Sequence, residues 1–231
     1  MKSRFLIIAA ILLSSVSSAS AQDFFDTADA PSFFNIGVRL GFNTSNRTFT
    51  KDAFNLWTND SWGTGFNIGA VVNLNFKEYL SIQPGIFFES RSGKYAYLTE
   101  YIDSYNREQT FYQMGTLRAY YISVPVLAVL KFNIANKIKW LVDLGPYFQL
   151  KLGESGQDNI NVLYRLPQAN QYDYYTATSN SFGVGLKLGT GLKFLNHYYL
   201  GIHYLAGLTN AWKVPAGGKN KSWEFSVGYD F

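Results

Sequence analysis

The sequence predicts an all-β protein: an eight-stranded antiparallel up-and-down barrel that crosses a membrane. Three observations carry that prediction. Apolar residues recur at every second position along eight separate runs. The connections between those runs alternate strictly between short and long. Charged residues make up only 16% of the 231-residue chain, against about 25% in soluble domains, so the chain has too little charge to cover itself in water.

The chain opens with Met1-Lys2-Ser3-Arg4, an apolar run Phe5–Leu13 and small residues ending Ala19-Ser20-Ala21. A basic start, a short apolar core and an A-x-A-like site read as a secretory signal peptide over 1–21. Nine apolar residues are too few for a spanning helix, which needs about 20. Cleavage leaves a short N-terminal segment, 22–33, expected in the periplasm, followed by the barrel domain, 34–231. It also removes two basic residues and no acid, leaving 18 basic against 16 acidic groups, or +2 instead of +4. No compact Lys/Arg cluster remains to suggest nucleic-acid binding. The absence of cysteine argues against a disulfide scaffold and a thiol enzyme.

The eight runs are then taken in order. The first, Phe34 to Phe42, has every even position apolar and Asn, Gly, Arg and Gly between them. The second, Phe66 to Phe76, alternates Phe, Ile, Ala, Val and Leu with mostly Asn and Gly. The third sets Leu80, Ile82, Ile86 and Phe88 opposite Ser81, Gln83, Gly85 and Glu89. The fourth, about Leu117 to Phe132, is apolar on both faces and fits least cleanly. The fifth runs from Ile138 to Leu152 and the sixth from Phe182 to Phe194, with four glycines and two lysines on its polar face. The seventh runs from Leu200 to Thr209. The eighth alternates Trp223, Phe225, Val227, Tyr229 and Phe231 with Glu224, Ser226, Gly228 and Asp230.

Short turns are expected at Lys77-Glu78, 133–137 and 195–197. Long connections are expected at about 43–63, 91–116, 153–180 and 210–221. A meander with this alternation puts the short turns and both termini at one end and the long loops at the other. Outer-membrane barrels have that plan, with short turns periplasmic and long loops external. The polar faces are glycine-rich and sparsely charged, which suits the interior of a narrow barrel, while the large apolar faces suit lipid. Phe33, Phe34, Phe42, Phe66, Phe76, Tyr79, Phe88, Phe132, Trp140, Phe194, Tyr198 and Tyr199 lie near run ends, as headgroup-level girdles do. Pro125 falls inside the fourth run, where a bulge is expected.

The chain also resembles a family. Tyr121-Ile122-Ser123-Val124-Pro125-Val126-Leu127-Ala128-Val129-Leu130-Lys131-Phe132 is similar to the mid-chain strand of the PorT-like outer-membrane β-barrel proteins of Bacteroidota. Leu144-Gly145-Pro146-Tyr147 is similar to the strand that follows it there. Gly183-Val184-Gly185, Gly201-Ile202-His203-Tyr204 and Gly207-Leu208-Thr209-Asn210 resemble its closing strands. The resemblance covers essentially the whole mature chain. It implies a bacterial outer-membrane barrel with a structural or protein-interaction role, accessory to secretion or envelope assembly, and it carries over no site. An alternating last strand ending in an aromatic residue resembles the signal read by the barrel-assembly machinery, which assigns that role to Trp223, Phe225, Val227, Tyr229 and Phe231. The partners expected are outer-membrane lipid, lipopolysaccharide, that machinery and an envelope protein of unknown identity.

The inward phase collects Arg39, Glu89, Lys131, Asp143, Lys151, Lys187, Lys193, His203, Glu224 and Asp230. Eight strands leave room for side chains or one small ligand, so these residues are expected to fill the lumen as a polar network; the alternatives are a narrow ion path or a ligand-binding barrel. Some eight-stranded membrane barrels modify lipid A with a His-Ser pair, and His203, Ser226 and Glu224 are the only candidates for such a site. They face the lumen rather than the lipid, so no enzyme is expected. No His/Asp/Glu set has metal-ligand spacing, and no cofactor is expected. The long connections are rich in Tyr, Trp and Phe, including Trp57, Trp62, Tyr97, Tyr101, Tyr112 and Tyr174. These residues fit either a binding surface or strands that continue above the membrane.

Overall fold

In the computed structural model, residues 24–48, 57–102, 108–155, 161–165, 172–176, 179–213 and 218–231 are described. The expected signal peptide lies outside them. Ten strands form: β1 (Phe34–Arg47), β2 (Trp57–Lys77), β3 (Leu80–Ile102), β4 (Glu108–Ala135), β5 (Ile138–Ser155), β6 (Asn161–Arg165), β7 (Tyr172–Thr176), β8 (Phe182–Phe194), β9 (Tyr198–Gly207) and β10 (Asn220–Asp230). Eight of them close an antiparallel barrel in the order β1-β10-β9-β8-β5-β4-β3-β2, and β6 and β7 pair as a separate hairpin. Closure leaves no sheet edge, whose unpaired amides are costly in hydrocarbon.

Alternation sets which side chains point outward. Along β1, Phe34, Ile36, Val38, Leu40 and Phe42 are exposed, while Gly37, Arg39 and Asn43 are buried. The same holds for Leu186 and Leu188 of β8 and Trp223, Phe225 and Val227 of β10, each at least about one third exposed. A belt of exposed Leu, Ile, Val and Phe around a buried polar interior reverses the arrangement of a water-soluble barrel, and it needs lipid outside. Four of the five residues singled out in the last strand pack in ring contacts: Phe225 stacks on Phe42 at 4.8 Å, Trp223 meets Tyr204 at 4.8 Å, and Phe231 meets Tyr229 edge-on at 5.2 Å.

The structure corrects the expected connections. β3 and β4 stay paired in one register from Leu80↔Leu130 to Ile102↔Glu108, so the stretch expected as a long loop at 91–116 is mostly hairpin, with only 103–107 between the strands. A spanning strand needs about 9–11 residues, and β4 has 28, so this hairpin stands well beyond the membrane. Its aromatic and β-branched residues favour strands in water as in lipid, which is why membrane span and strand length differ here. The connection at 153–180 likewise holds the β6–β7 hairpin.

Pro125 does not form a bulge. It stays in register opposite Tyr147, and the register shifts between β4 and β5 fall instead between Tyr120 and Tyr121 and between Asn133 and Ala135. Tyr199 is a second correction: it points into the lumen, 7% exposed, and does not join the outer girdle. Its neighbours Tyr198 and Leu200 are exposed, so strand parity turns Tyr199 inward.

The segment before β1 folds against the short-turn end. Phe24 and Phe25 pack on Phe132 and Tyr79, the Glu78 amide donates to the Ala28 carbonyl at 3.0 Å, and Lys77 pairs with Asp29 at 2.5 Å. The β8–β9 turn uses Leu195 and Asn196 at positive φ (52° and 63°), the backbone of a tight hairpin turn.

Candidate functional site

The candidate site is the lumen. Gly189 and Gly201 show how the strands make room for it. A Cβ on Gly189 would lie 2.0 Å from the His203 ring, and one on Gly201 would lie 2.0 Å from the Tyr199 hydroxyl. Each glycine leaves the space that a large neighbouring side chain takes.

From the long-loop end downward, the polar groups form successive layers. Glu154 accepts from Arg47 at 2.5 Å, from Ser179 at 2.5 Å and from Lys151 at 3.0 Å. Arg47 also donates to the Tyr121 hydroxyl at 2.7 Å and lies over the Trp212 ring. Below it, Arg91 donates to Glu89 and, at 2.9 Å, to Gln149. Arg91 sits 3.6 Å from Glu224, and Glu224 accepts from Lys187 at 2.6 Å. Tyr121 and Tyr147 offer their rings to Arg91 at 5.7 and 5.6 Å. Glu89 and Glu224 are each 1% exposed; charges buried so deeply persist only when paired.

The next layer holds His203, whose Nε2 lies 3.2 Å from both Asp143 Oδ2 and the Tyr199 hydroxyl. Under it Asp230 accepts from Arg39 at 2.7 Å and from Lys193 at 2.6 Å, with Arg39 over the Tyr199 ring at 4.3 Å. At the short-turn mouth Lys131 donates to Asn75 at 2.6 Å and Lys139 to Glu78 at 2.6 Å. An apolar patch of Leu127, Val129, Leu141 and Tyr199 fills the space between these lower layers.

All ten residues singled out from the sequence therefore lie on the inner side, in four of these contact groups and the mouth. Sequence reasoning missed Arg47, Arg91, Gln149 and Glu154, and the rings of Tyr121, Tyr147 and Tyr199. Arg91 continues the inward parity of Glu89, and Arg47 that of Arg39; extending the alternation past the expected strand ends finds both. His203 makes its contacts to Asp143 and Tyr199, and no His203–Ser226 hydrogen bond forms. No group of three or more His, Asp or Glu among the described residues is placed to hold a metal ion.

Mid-barrel the free space is a cavity of about 20 Å³ beside Tyr199, His203, Glu224 and Asn67, about enough for one water. A second gap of about 10 Å³ lies beside Arg47 and Tyr121.

A lipid-facing apolar belt, a closed antiparallel sheet and a side-chain-filled interior define an integral membrane β-barrel of the bacterial outer-membrane class. The comparison with known proteins agrees: residues 20–213 match the family "Outer membrane protein beta-barrel domain", and the chain belongs to it. It is therefore an integral outer-membrane β-barrel protein. Among solved structures it is similar to Ail of Yersinia pestis, determined in complex with the heparin analogue sucrose octasulfate (13% identity, 87% of this chain and 100% of that one, TM-score 0.38). It is also similar to Neisserial surface protein A (12% identity, 87% and 98%, TM-score 0.41) and to OprG from Pseudomonas aeruginosa (10% identity, 90% and 98%, TM-score 0.40). No curated protein matches the sequence.

Proposed function

We propose that this barrel is a closed, non-enzymatic scaffold that holds an interaction surface outside the outer membrane. The observation that carries the proposal is the packed lumen: among the described residues, the Arg47, Arg91, His203 and Arg39 layers follow one another, with water-sized gaps beside Arg47 and beside His203. A buried ion-pair network of this density resists hydration, because opening it strands several charges at once. Lipid and lipopolysaccharide surround the apolar belt. Short turns and both termini lie on the periplasmic side, and the β3–β4 and β6–β7 hairpins lie outside. The last strand, with Trp223, Phe225, Val227, Tyr229 and Phe231, is the part that the barrel-assembly machinery reads during insertion.

The PorT-like resemblance supports the finer reading, an accessory role in secretion or envelope assembly through a protein partner. The second reading, a small passive pore or ligand-binding barrel, rests on a cavity of about 150 Å³ at the short-turn mouth, beside Lys131, Lys139 and Lys193. The test of the interaction role is site-specific photo-cross-linking in intact cells, with the cross-linker replacing Tyr97 or Tyr112 in the protruding hairpin. A discrete adduct with one envelope protein is the expected result. The same diffuse background from these sites as from Leu186, on the lipid face, overturns the proposal.

A further inference from the structure

At the short-turn mouth the charges do not balance. Among the described residues, Arg39, Lys131, Lys139 and Lys193 face two carboxylates there. Asp230 serves both Arg39 and Lys193, and Glu78 serves Lys139. Lys131 has Asn75 as its hydrogen-bond acceptor and no carboxylate within ion-pair distance among the described residues. In the mid-barrel layer the pairing is even: Arg91 and Lys187 meet Glu89 and Glu224.

The unbalanced cations border open space. A cavity of about 150 Å³ lies among Asn35, Asn75, Glu78, Lys131, Lys139 and Lys193, closed on one side by residues 30–32 of the N-terminal segment. Lys139 and Lys193 stand directly opposite each other in the β5–β8 ladder, and Lys139 stands opposite Asn133 in β4. Three adjacent strands thus bring three ammonium groups to one pocket. The acids of the described part of the N-terminal segment are engaged elsewhere: Asp29 is held by Lys77, and Asp26 accepts from the Ala28 amide at 3.0 Å. The buried Oδ1 of Asn35 lines the same pocket and has no hydrogen-bond partner, so the site presents an unused acceptor beside unused positive charge.

We infer that this mouth cavity binds a small oxyanion, a phosphate or carboxylate group, with Lys131 as the main cationic contact. Lys139 and Lys193 supply further charge, and the Asn35 carbonyl oxygen accepts from a hydroxyl of the ligand, as a protonated phosphate provides. Charge-assisted hydrogen bonds in a partly desolvated pocket are stronger than the same contacts in water. The space suits a phosphate-sized ion with some of its water. The same chemistry is offered by a free ion and by an anionic group carried on a larger envelope molecule.

The test is calorimetric titration of the purified mature protein, in a non-ionic detergent without phosphate, with inorganic phosphate and separately with acetate. Saturable binding of at least one of them is expected. It should weaken about tenfold in Lys131→Gln, the loss of one charge-assisted hydrogen bond. It should be unchanged in Lys213→Gln, whose lysine is exposed at the other end of the barrel. Tighter phosphate binding assigns the site to phosphate, and tighter acetate binding assigns it to a carboxylate-bearing molecule. Heat-modifiable gel migration shows whether each variant is folded; if Lys131→Gln is not, Lys139→Gln takes its place with weaker binding again expected. Absence of saturable binding by both anions overturns the inference, as does wild-type affinity in the folded lysine variant.

Discussion

In the wall made of β1, β10, β9 and β8, pairing runs without a slip from Gly37↔Asp230 to Arg47↔Asn220, from Lys221↔Ala206 to Tyr229↔Tyr198, and from Gly185↔Gly207 to Phe194↔Tyr198. In the opposite wall, β2 to β5, the register shifts three times between β2 and β3 and twice between β4 and β5. Pairing there also lapses beside three prolines on adjacent strands. It stops between Val71↔Gly85 and Leu74↔Ile82 next to Pro84, between Pro84↔Val126 and Phe87↔Ser123 next to Pro125, and between Pro125↔Tyr147 and Ala128↔Leu144 next to Pro146. Proline has no amide to donate, and a lost ladder bond is costly where no water can replace it.

The inner faces differ in the same way. The regular wall turns Gly37, Gly189, Gly201, Lys187, Glu224 and Asp230 inward, while the irregular wall turns in Phe87, Leu117, Tyr121, Leu127 and Val129. A narrow barrel has a fixed interior to fill, so bulk at one position requires glycine beside it. Charge is shared by the two walls, and the regular one keeps a complete backbone ladder. The other wall tolerates gaps in its ladder, because packing of its large inward side chains compensates there.

The largest effect is expected where the charges of the two walls meet. Glu224→Gln leaves Arg91 and Lys187 short of their shared carboxylate and should cost about 3–5 kcal/mol, read as a lower urea midpoint in micelles. A wild-type midpoint contradicts the role given to that pair. Next comes the fit inside the regular wall, between β8 and β9. Gly189→Ala pushes a methyl group into the His203 ring and should cost about 1–3 kcal/mol. Combining it with His203→Ala should recover part of that loss, and simple additivity would show that the two residues do not share space.

A smaller effect is expected at the prolines. Hydrogen exchange should be faster at Gly85, Ile86 and Val126 than at Ile202 and Tyr204 of β9. Pro125→Ala restores a donor and should slow exchange at its β3 neighbours, with a stability change of about 1 kcal/mol or less. Equal protection of the two walls removes the distinction. The smallest effect lies outside the membrane. The Lys77 ammonium holds the Asp29 carboxyl below its ordinary pKa by hydrogen bond and charge. A depressed carboxyl pKa stabilises the docked segment at neutral pH, and this contribution is lost as the pH falls through the ordinary carboxyl range. Both groups are solvent-exposed, so the gain is small. Acidification, or Asp29→Asn at neutral pH, should shift the amide resonances of Ala28 and Glu78 without changing those of the barrel.

Much of this was legible in the sequence. Period-two alternation placed all eight barrel strands and the inward side of residues such as Arg39, Asp143 and Glu224, because a pleated strand allows only two side-chain directions. Three things were not legible. The reach of β3 and β4 was hidden because the residues beyond the membrane keep strand propensity while losing the apolar phase. The lumen face of β4 was ambiguous because Leu127 and Val129 pack inside the barrel as readily as Val124 and Val126 meet lipid. The pairing of Arg91 with Gln149 and Glu224 and of Arg47 with Glu154 depends on which strands face each other, and Arg47 and Glu154 lie 107 residues apart in the chain.

The central claim is that the lumen is closed by its own side chains. Reconstitution into planar lipid bilayers tests it most directly, with the wild-type chain compared with a variant in which Glu89, Arg91, Lys187 and Glu224 are all replaced by alanine. The account predicts no steady conductance from the wild type and discrete openings from the variant if it inserts. Large, steady openings of the wild-type barrel would contradict it.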